Sequence, residues 1–203
     1  MANEVSFIDT MLALSVNVLT IFALILIAKH AINSTNLQKE EKNSMLAKIS
    51  AFLIVWFALF ALLAYFGFFN VTKQTFFPLI ALGVGVPIIL GWFALKKFKS
   101  LQKVLEKAPM HWLIGIQIYR NLGIVFLTLY SQGLLPGLFA LPTGYGDLLI
   151  GLTAPIVAII YYLKHSSAKI LAILWNILGI IDLTIAIGVG FFAADSIVKV
   201  FYT

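Results

Sequence analysis

The chain has 203 residues, 62% of them hydrophobic and only 11% charged, with a mean hydropathy of +1.03, whereas a water-soluble domain keeps about a quarter of its residues charged. That composition excludes a solvated globule, which would expose apolar patches over most of its surface. The absence of cysteine excludes disulfides, thiolate nucleophiles and cysteine-held metals, and the net charge of +6 does not point to nucleic acid, because the lysines stand in short loops beside apolar runs, as at an anionic membrane surface.

Crossing about 30 Å of hydrocarbon takes roughly 20 apolar residues in a helix. Six runs qualify, at about 7–28, 49–69, 76–95, 112–130, 145–163 and 170–192. Barrel strands would be about half as long and would alternate in polarity. The expected fold is therefore all-α, a polytopic bundle of six transmembrane helices forming one transmembrane domain over 1–203.

The first run begins among Glu4 and Asp9 with no Lys or Arg ahead of it. That is the reverse of a signal peptide's basic leader, so it reads as a retained helix. The second run is uncharged throughout. The third carries Ile80-Ala81-Leu82-Gly83-Val84-Gly85, echoed in the sixth by Ile185-Ala186-Ile187-Gly188-Val189-Gly190. Three spans per half would give the halves opposite orientation, as in inverted-repeat transporters. Six letters drawn from small apolar residues also serve as plain helix-packing faces, and that is the reading adopted.

After the third run, 100–108 sets Leu101, Val104, Leu105 and Ala108 on one helical stripe with lysines between. This suits either a short helix lying on the inner leaflet or a solvated lysine loop. The fourth run carries Gln117, Arg120 and Asn121, which at 3.6 residues per turn fall near one face. The segment that follows, 134–147, contains Pro136, Gly137, Pro142, Gly144 and Gly146 and no basic residue. It reads as a tight or re-entrant loop before the fifth run, with Asp147 as that helix's N-cap and as a candidate ligand. Within it, Thr143-Gly144-Tyr145-Gly146-Asp147 resembles the potassium-channel filter Thr-Val-Gly-Tyr-Gly. The Val is missing, and the stretch between Pro136 and Pro142 is too short for a pore helix. A filter needs every carbonyl in sequence, so the likeness is given no weight. The sixth run carries Asn176 and Asp182.

Lysines set the orientation. Lys29, Lys39, Lys42, Lys48, Lys96, Lys97, Lys99, Lys103, Lys107, Lys164 and Lys169 follow runs one, three and five, against Lys73 and Lys199 on the other side. This places the odd loops in the cytoplasm and both termini outside, in the plasma membrane.

At 1.5 Å per residue, Arg120 lies about 12 Å above Trp112, and Asp182 about 18 Å above Ile170. An unpaired charge at such depth costs at least about 2.5–3.5 kcal/mol, so the two are expected to meet. Asn17 and Asn176 are expected to form interhelical hydrogen bonds. His30, His111 and His165 all fall at the boundary of the runs, so no haem bracket forms. No metal-ligand spacing or phosphate-cradling glycine loop occurs, and neither catalytic machinery nor a cofactor is expected.

The function these features suggest is transport or conduction of a small solute or ion. Gln117, Arg120, Asn121, Asp147 and Asp182 would line its polar centre, where Asp182 exchanges a proton or balances charge. The alternative is a non-catalytic accessory or scaffold subunit with a structural ion pair. Expected partners are membrane lipids, a small solute or ion, and another membrane chain or a second copy of this one.

Overall fold

The computed structural model describes residues 7–68 and 80–193, and among these every regular element is helical. In chain order they are α1 (Phe7–Asn33), α2 (Lys39–Tyr65), α3 (Ile80–Lys97), α4 (Lys99–Lys107), α5 (Met110–Gly115), a 3₁₀ stretch (Ile116–Leu122), α6 (Gly123–Ser131), α7 (Gly137–Tyr162) and α8 (Ala168–Ala193). Five helical segments are long and apolar enough to cross a membrane: Phe7–Asn33, Lys39–Tyr65, Met110–Ser131, Gly137–Tyr162 and Ala168–Gly190. Helix α3 covers the expected third run from Ile80 onward. Residues 76–79, Lys73 and Lys199 lie outside the described residues.

The described residues divide into two compact units, 7–20 with 110–193, and 21–68 with 80–109. In the second of these, α2 starts ten residues before its apolar run. Glu40 and Glu41 occupy its first turn, where acidic side chains complement the helix dipole. The Lys42 Nζ donates to the Asn33 carbonyl at 3.1 Å, satisfying one of the free carbonyls that end α1. The 100–108 stripe forms helix α4. Its Val104 is buried with Ala31 and Ile32, against Met45, Leu46, Ile49 and Ala108, while Ser100 Oγ donates to Glu41 Oε1 at 2.7 Å. Leu105 stays exposed. The segment is thus an ordered helix docked on the ends of α1 and α2, and the solvated-loop reading does not hold.

In the other unit α7 is the pivot. It packs against α5, the 3₁₀ stretch, α6 and α8. A third (33%) of its apolar window is buried, against none of α2's. Its core joins Ile114, Ile150, Ala154, Val157, Ala172 and Trp175. The Trp175 Nε1 donates to Thr153 Oγ1 at 2.8 Å, so the buried indole meets a partner.

Three expectations need correction. The fifth run does not begin at Tyr145. Helix α7 starts at Gly137 with Pro136 at its N-cap, so 137–147 is helical and no re-entrant loop forms there. The filter-like pentapeptide is part of that helix. Its carbonyls face along the axis rather than into a pore. Pro and Gly break helices in water, but inside a bundle neighbouring helices re-satisfy the backbone, and glycines 144 and 146 are where those neighbours come close.

The second correction concerns the asparagines. Asn17 Nδ2 donates to Ala13 at 2.8 Å and Asn176 Nδ2 to Ala172 at 2.7 Å. Each is satisfied by the carbonyl one turn back in its own helix, and needs no other helix.

The third is the single face expected for Gln117, Arg120 and Asn121. The 3₁₀ stretch turns once per three residues, which aligns Gln117 with Arg120 and swings Asn121 about a third of a turn away.

The glycine hexapeptides are also used differently. Gly83 faces the Phe60 ring while its counterpart Gly188 has open space. Gly190 faces Phe139 while its counterpart Gly85 has open space. The shared letters do not mark shared contacts.

Candidate functional site: a buried arginine between two aspartates

Three segments supply one ionisable side chain each: Arg120 from the 3₁₀ stretch, Asp147 from α7 and Asp182 from α8. Arg120 Nε donates to Asp147 Oδ1 at 2.7 Å. Its Nη2 donates to Asp182 Oδ2, and its Nη1 reaches the Gly179 carbonyl at 3.3 Å. The planar fork thus faces α7 with one nitrogen and α8 with two. A guanidinium carries donors in several fixed directions, which suits it to tie three helices at once. The side chains are 8%, 20% and 15% exposed for Arg120, Asp147 and Asp182.

Backbone geometry brings the partners level. A 3₁₀ stretch rises about 2.0 Å per residue rather than 1.5 Å. Arg120 therefore stands roughly 14 Å above Trp112, about 4 Å from the depth of Asp182. Along α6 and α7, Arg120 and Asp147 each lie about ten residues, or roughly 15 Å, from the turn that joins these helices. That is half the thickness of a hydrocarbon core.

Glycines make the approach possible. A β-carbon at Gly146 would run into the Asp182 carboxylate. One at Gly123 would meet the Asp147 β-carbon at 2.6 Å and the Gly144 carbonyl at 2.7 Å. At Gly179 it would come 3.3 Å from Arg120 Nη1. Gly151 does the same for Asn121, whose backbone nitrogen would lie 2.7 Å from an added β-carbon. This is the small-residue interface by which membrane helices approach closely, centred on the charges.

The expected meeting of Arg120 and Asp182 is seen. Asp147 is not an N-cap: it sits mid-helix and holds the other side of the guanidinium. Asn121 lies against Gly151 on a different face, and its buried Oδ1 has no hydrogen-bond partner among the described residues. The Gln117 side chain likewise makes no hydrogen bond among them. The sequence reading missed one contributor, the Gly179 carbonyl, and it also missed the burial of Thr143, which makes no hydrogen bond to the three charged residues. Thr143 is 4% exposed and its Oγ1 is buried without a partner. The signal for both Asp147 and Thr143 was the missing basic residue in 134–147: an apolar segment this long is better continued as helix, which puts both at membrane depth.

The cleft at the α6–α7 turn measures about 630 Å³ and is lined by Tyr130, Gly133, Leu134, Leu135, Pro136, Gly137 and Leu138. None of the three charged residues lines it.

No curated protein and no solved structure matches the chain. Residues 77–201, well over half of the sequence and spanning Arg120, Asp147 and Asp182, match the family described as Domain of unknown function (DUF8737), and the chain belongs to that family.

Proposed function

We propose that this is a six-span plasma-membrane protein with its lysine loops in the cytoplasm and both termini outside, and that Arg120, Asp147 and Asp182 form the polar centre of a transporter or channel for a small solute or ion. One observation carries the reading. A single guanidinium is shared by two carboxylates from different helices, which leaves one formal negative charge unbalanced. A lock that merely fastened helices together would be cheaper as a neutral pair, because an uncompensated charge at this depth costs several kcal/mol. The surplus acid supplies a place where a mobile positive charge comes and goes. Ionisable side chains held at mid-membrane depth mark such paths in general. Gln117, one turn before Arg120, extends the polar face of the same segment, and Asn121 adds a polar group on another face.

The test is flux through purified protein in liposomes, read with a panel of labelled small solutes and with lumenal dyes for protons, sodium and potassium. Arg120→Gln is expected to abolish flux. If flux is unchanged and only the melting temperature falls, the transport reading fails.

A second reading is favoured by a separate observation. The apolar window of α2 buries none of its residues and that of α1 only 6%. Lipid covers such faces, and so does another membrane chain. As an accessory subunit the protein would co-purify in fixed ratio with one partner and would carry no flux alone.

A further inference from the structure

We infer that the charge which neutralises the site is a proton, held between Asp147 and Asp182 and exchanged by way of Thr143 with water at the α6–α7 turn. This rests on the transport reading and names the ion that the site carries.

The first ground is the free oxygens. Asp147 gives Oδ1 to Arg120 and Asp182 gives Oδ2. Asp147 Oδ2 and Asp182 Oδ1 have no hydrogen-bond partner among the described residues. Two carboxylates that share one cation each keep an oxygen able to hold a proton. A metal ion would need about six oxygen ligands and a cavity to match. Here Gly146 is packed against Asp182 with no room for a methyl group, and a proton needs no cavity.

The second ground is Thr143. Helical threonines spend their hydroxyl on the carbonyl one turn back, as Thr20, Thr128, Thr153 and Thr184 all do here, at 2.6–3.0 Å. Thr143 does not, although it is 4% exposed and its Oγ1 is buried. It stands one turn before Asp147 on the same face of α7, between the carboxylates and the Gly137 end where the cleft opens. By helix rise it is about 6 Å from the level of Asp147 and about 9 Å from that of Gly137. A hydroxyl both donates and accepts. With no partner in direct reach among the described residues, it works through water on both sides. It takes a proton from one water on the cleft side as it passes its own to another, which delivers it to a carboxylate oxygen. Only O–H bonds change, and one proton moves in net. Among the described residues, the charged and titratable groups of the packed segments that act electrostatically on Asp147 are Tyr119 and Arg120 on the 3₁₀ stretch and Asp182 on α8.

Two readouts test this on the full chain in liposomes. Dicyclohexylcarbodiimide reaches carboxyls from the apolar phase and reacts with their protonated form. A stable adduct on Asp147 or Asp182, located by peptide mass, is expected from mildly acidic to neutral pH. No adduct on either residue overturns the proton, and so does an adduct that sodium abolishes at fixed pH, since a metal ion then holds the site. Proton uptake after a pH jump, read with a lumenal dye, is expected to slow by about tenfold in Thr143→Val and to recover in Thr143→Ser, with adduct formation unchanged. Valine matches threonine in shape, and the hydroxyl it removes makes no hydrogen bond among the described residues, so the variant gives up no protein hydrogen bond. Unaltered uptake in Thr143→Val overturns the route. An adduct without any Arg120-dependent flux would instead refute transport and leave the proton in place, and flux without an adduct would do the reverse.

Discussion

Gly146 lies so close against Asp182 that the smallest side chain would strike the carboxylate. The glycine is therefore part of the charged site, although it carries no functional group. Gly146→Ala is expected to destabilise the protein by about 1–3 kcal/mol, the usual cost of forcing extra volume into a packed contact. It should also loosen the Arg120–Asp182 bond. Gly188→Ala is the control: nothing lies within 4 Å of that position, so alanine should be neutral or stabilise by about 0.5–1 kcal/mol through helix propensity. Thermal unfolding of both variants in the same lipid nanodiscs makes the comparison.

The surplus acid gives a second expectation, about asymmetry between the partners. Arg120→Gln strands two carboxylates and should cost about 3–5 kcal/mol, as breaking a buried pair does. Asp147→Asn leaves Arg120 with Asp182, a neutral couple, and asparagine's oxygen still accepts from Nε. Its cost should be only about 1 kcal/mol. Asp147→Asn with Asp182→Asn leaves the guanidinium alone and should cost far more than the two singles added together. Additive costs would show that the three groups are not coupled.

How much of this was legible depends on which rule governed each residue. The helical character followed from run length, because a span must satisfy its own backbone, and five of the six expected runs meet helices long and apolar enough to cross a membrane. The Arg120–Asp182 contact followed from the cost of leaving either charge alone. Asp147 was misplaced because Pro136, Gly137, Pro142 and Gly144 read as punctuation by the habits of water-soluble chains, whereas here the glycines are points of helix contact. The 3₁₀ stretch left no readable mark: Gly115 and Gly123 bracket it, but neither spacing nor composition distinguishes it from α-helix. The hydroxyl of Thr143 was invisible for the same reason as Asp147, since a loop residue raises no question about where its hydrogen bond goes.

Orientation is checked directly. The sequence contains no cysteine, so single cysteines at Glu4, Lys42, Lys103 and Thr203 report without background. In intact cells an impermeant thiol reagent is expected to label the variants at Glu4 and Thr203 and to spare those at Lys42 and Lys103, following the eleven-to-two lysine bias. The opposite pattern would invert the topology.

The last prediction separates charge from shape at Arg120. Lysine keeps the positive charge but delivers it from one ammonium at the end of a flexible stem. Arg120 meets α7 through Nε and α8 through both Nη atoms, with Gly179 and Asp182 as acceptors. The Nε is part of the side chain's stem, so Asp147 is held close to the backbone while Asp182 is held at the tip. One ammonium cannot occupy both places. If charge alone held the site, Arg120→Lys would recover nearly all the stability lost in Arg120→Gln. If the fork matters, lysine should restore one carboxylate contact and leave the other acid exposed to repulsion from its neighbour, recovering less than half of the loss. A rescue by Asp147→Asn in the lysine background, absent in the wild type, would identify Asp147 as the acid that the ammonium fails to reach.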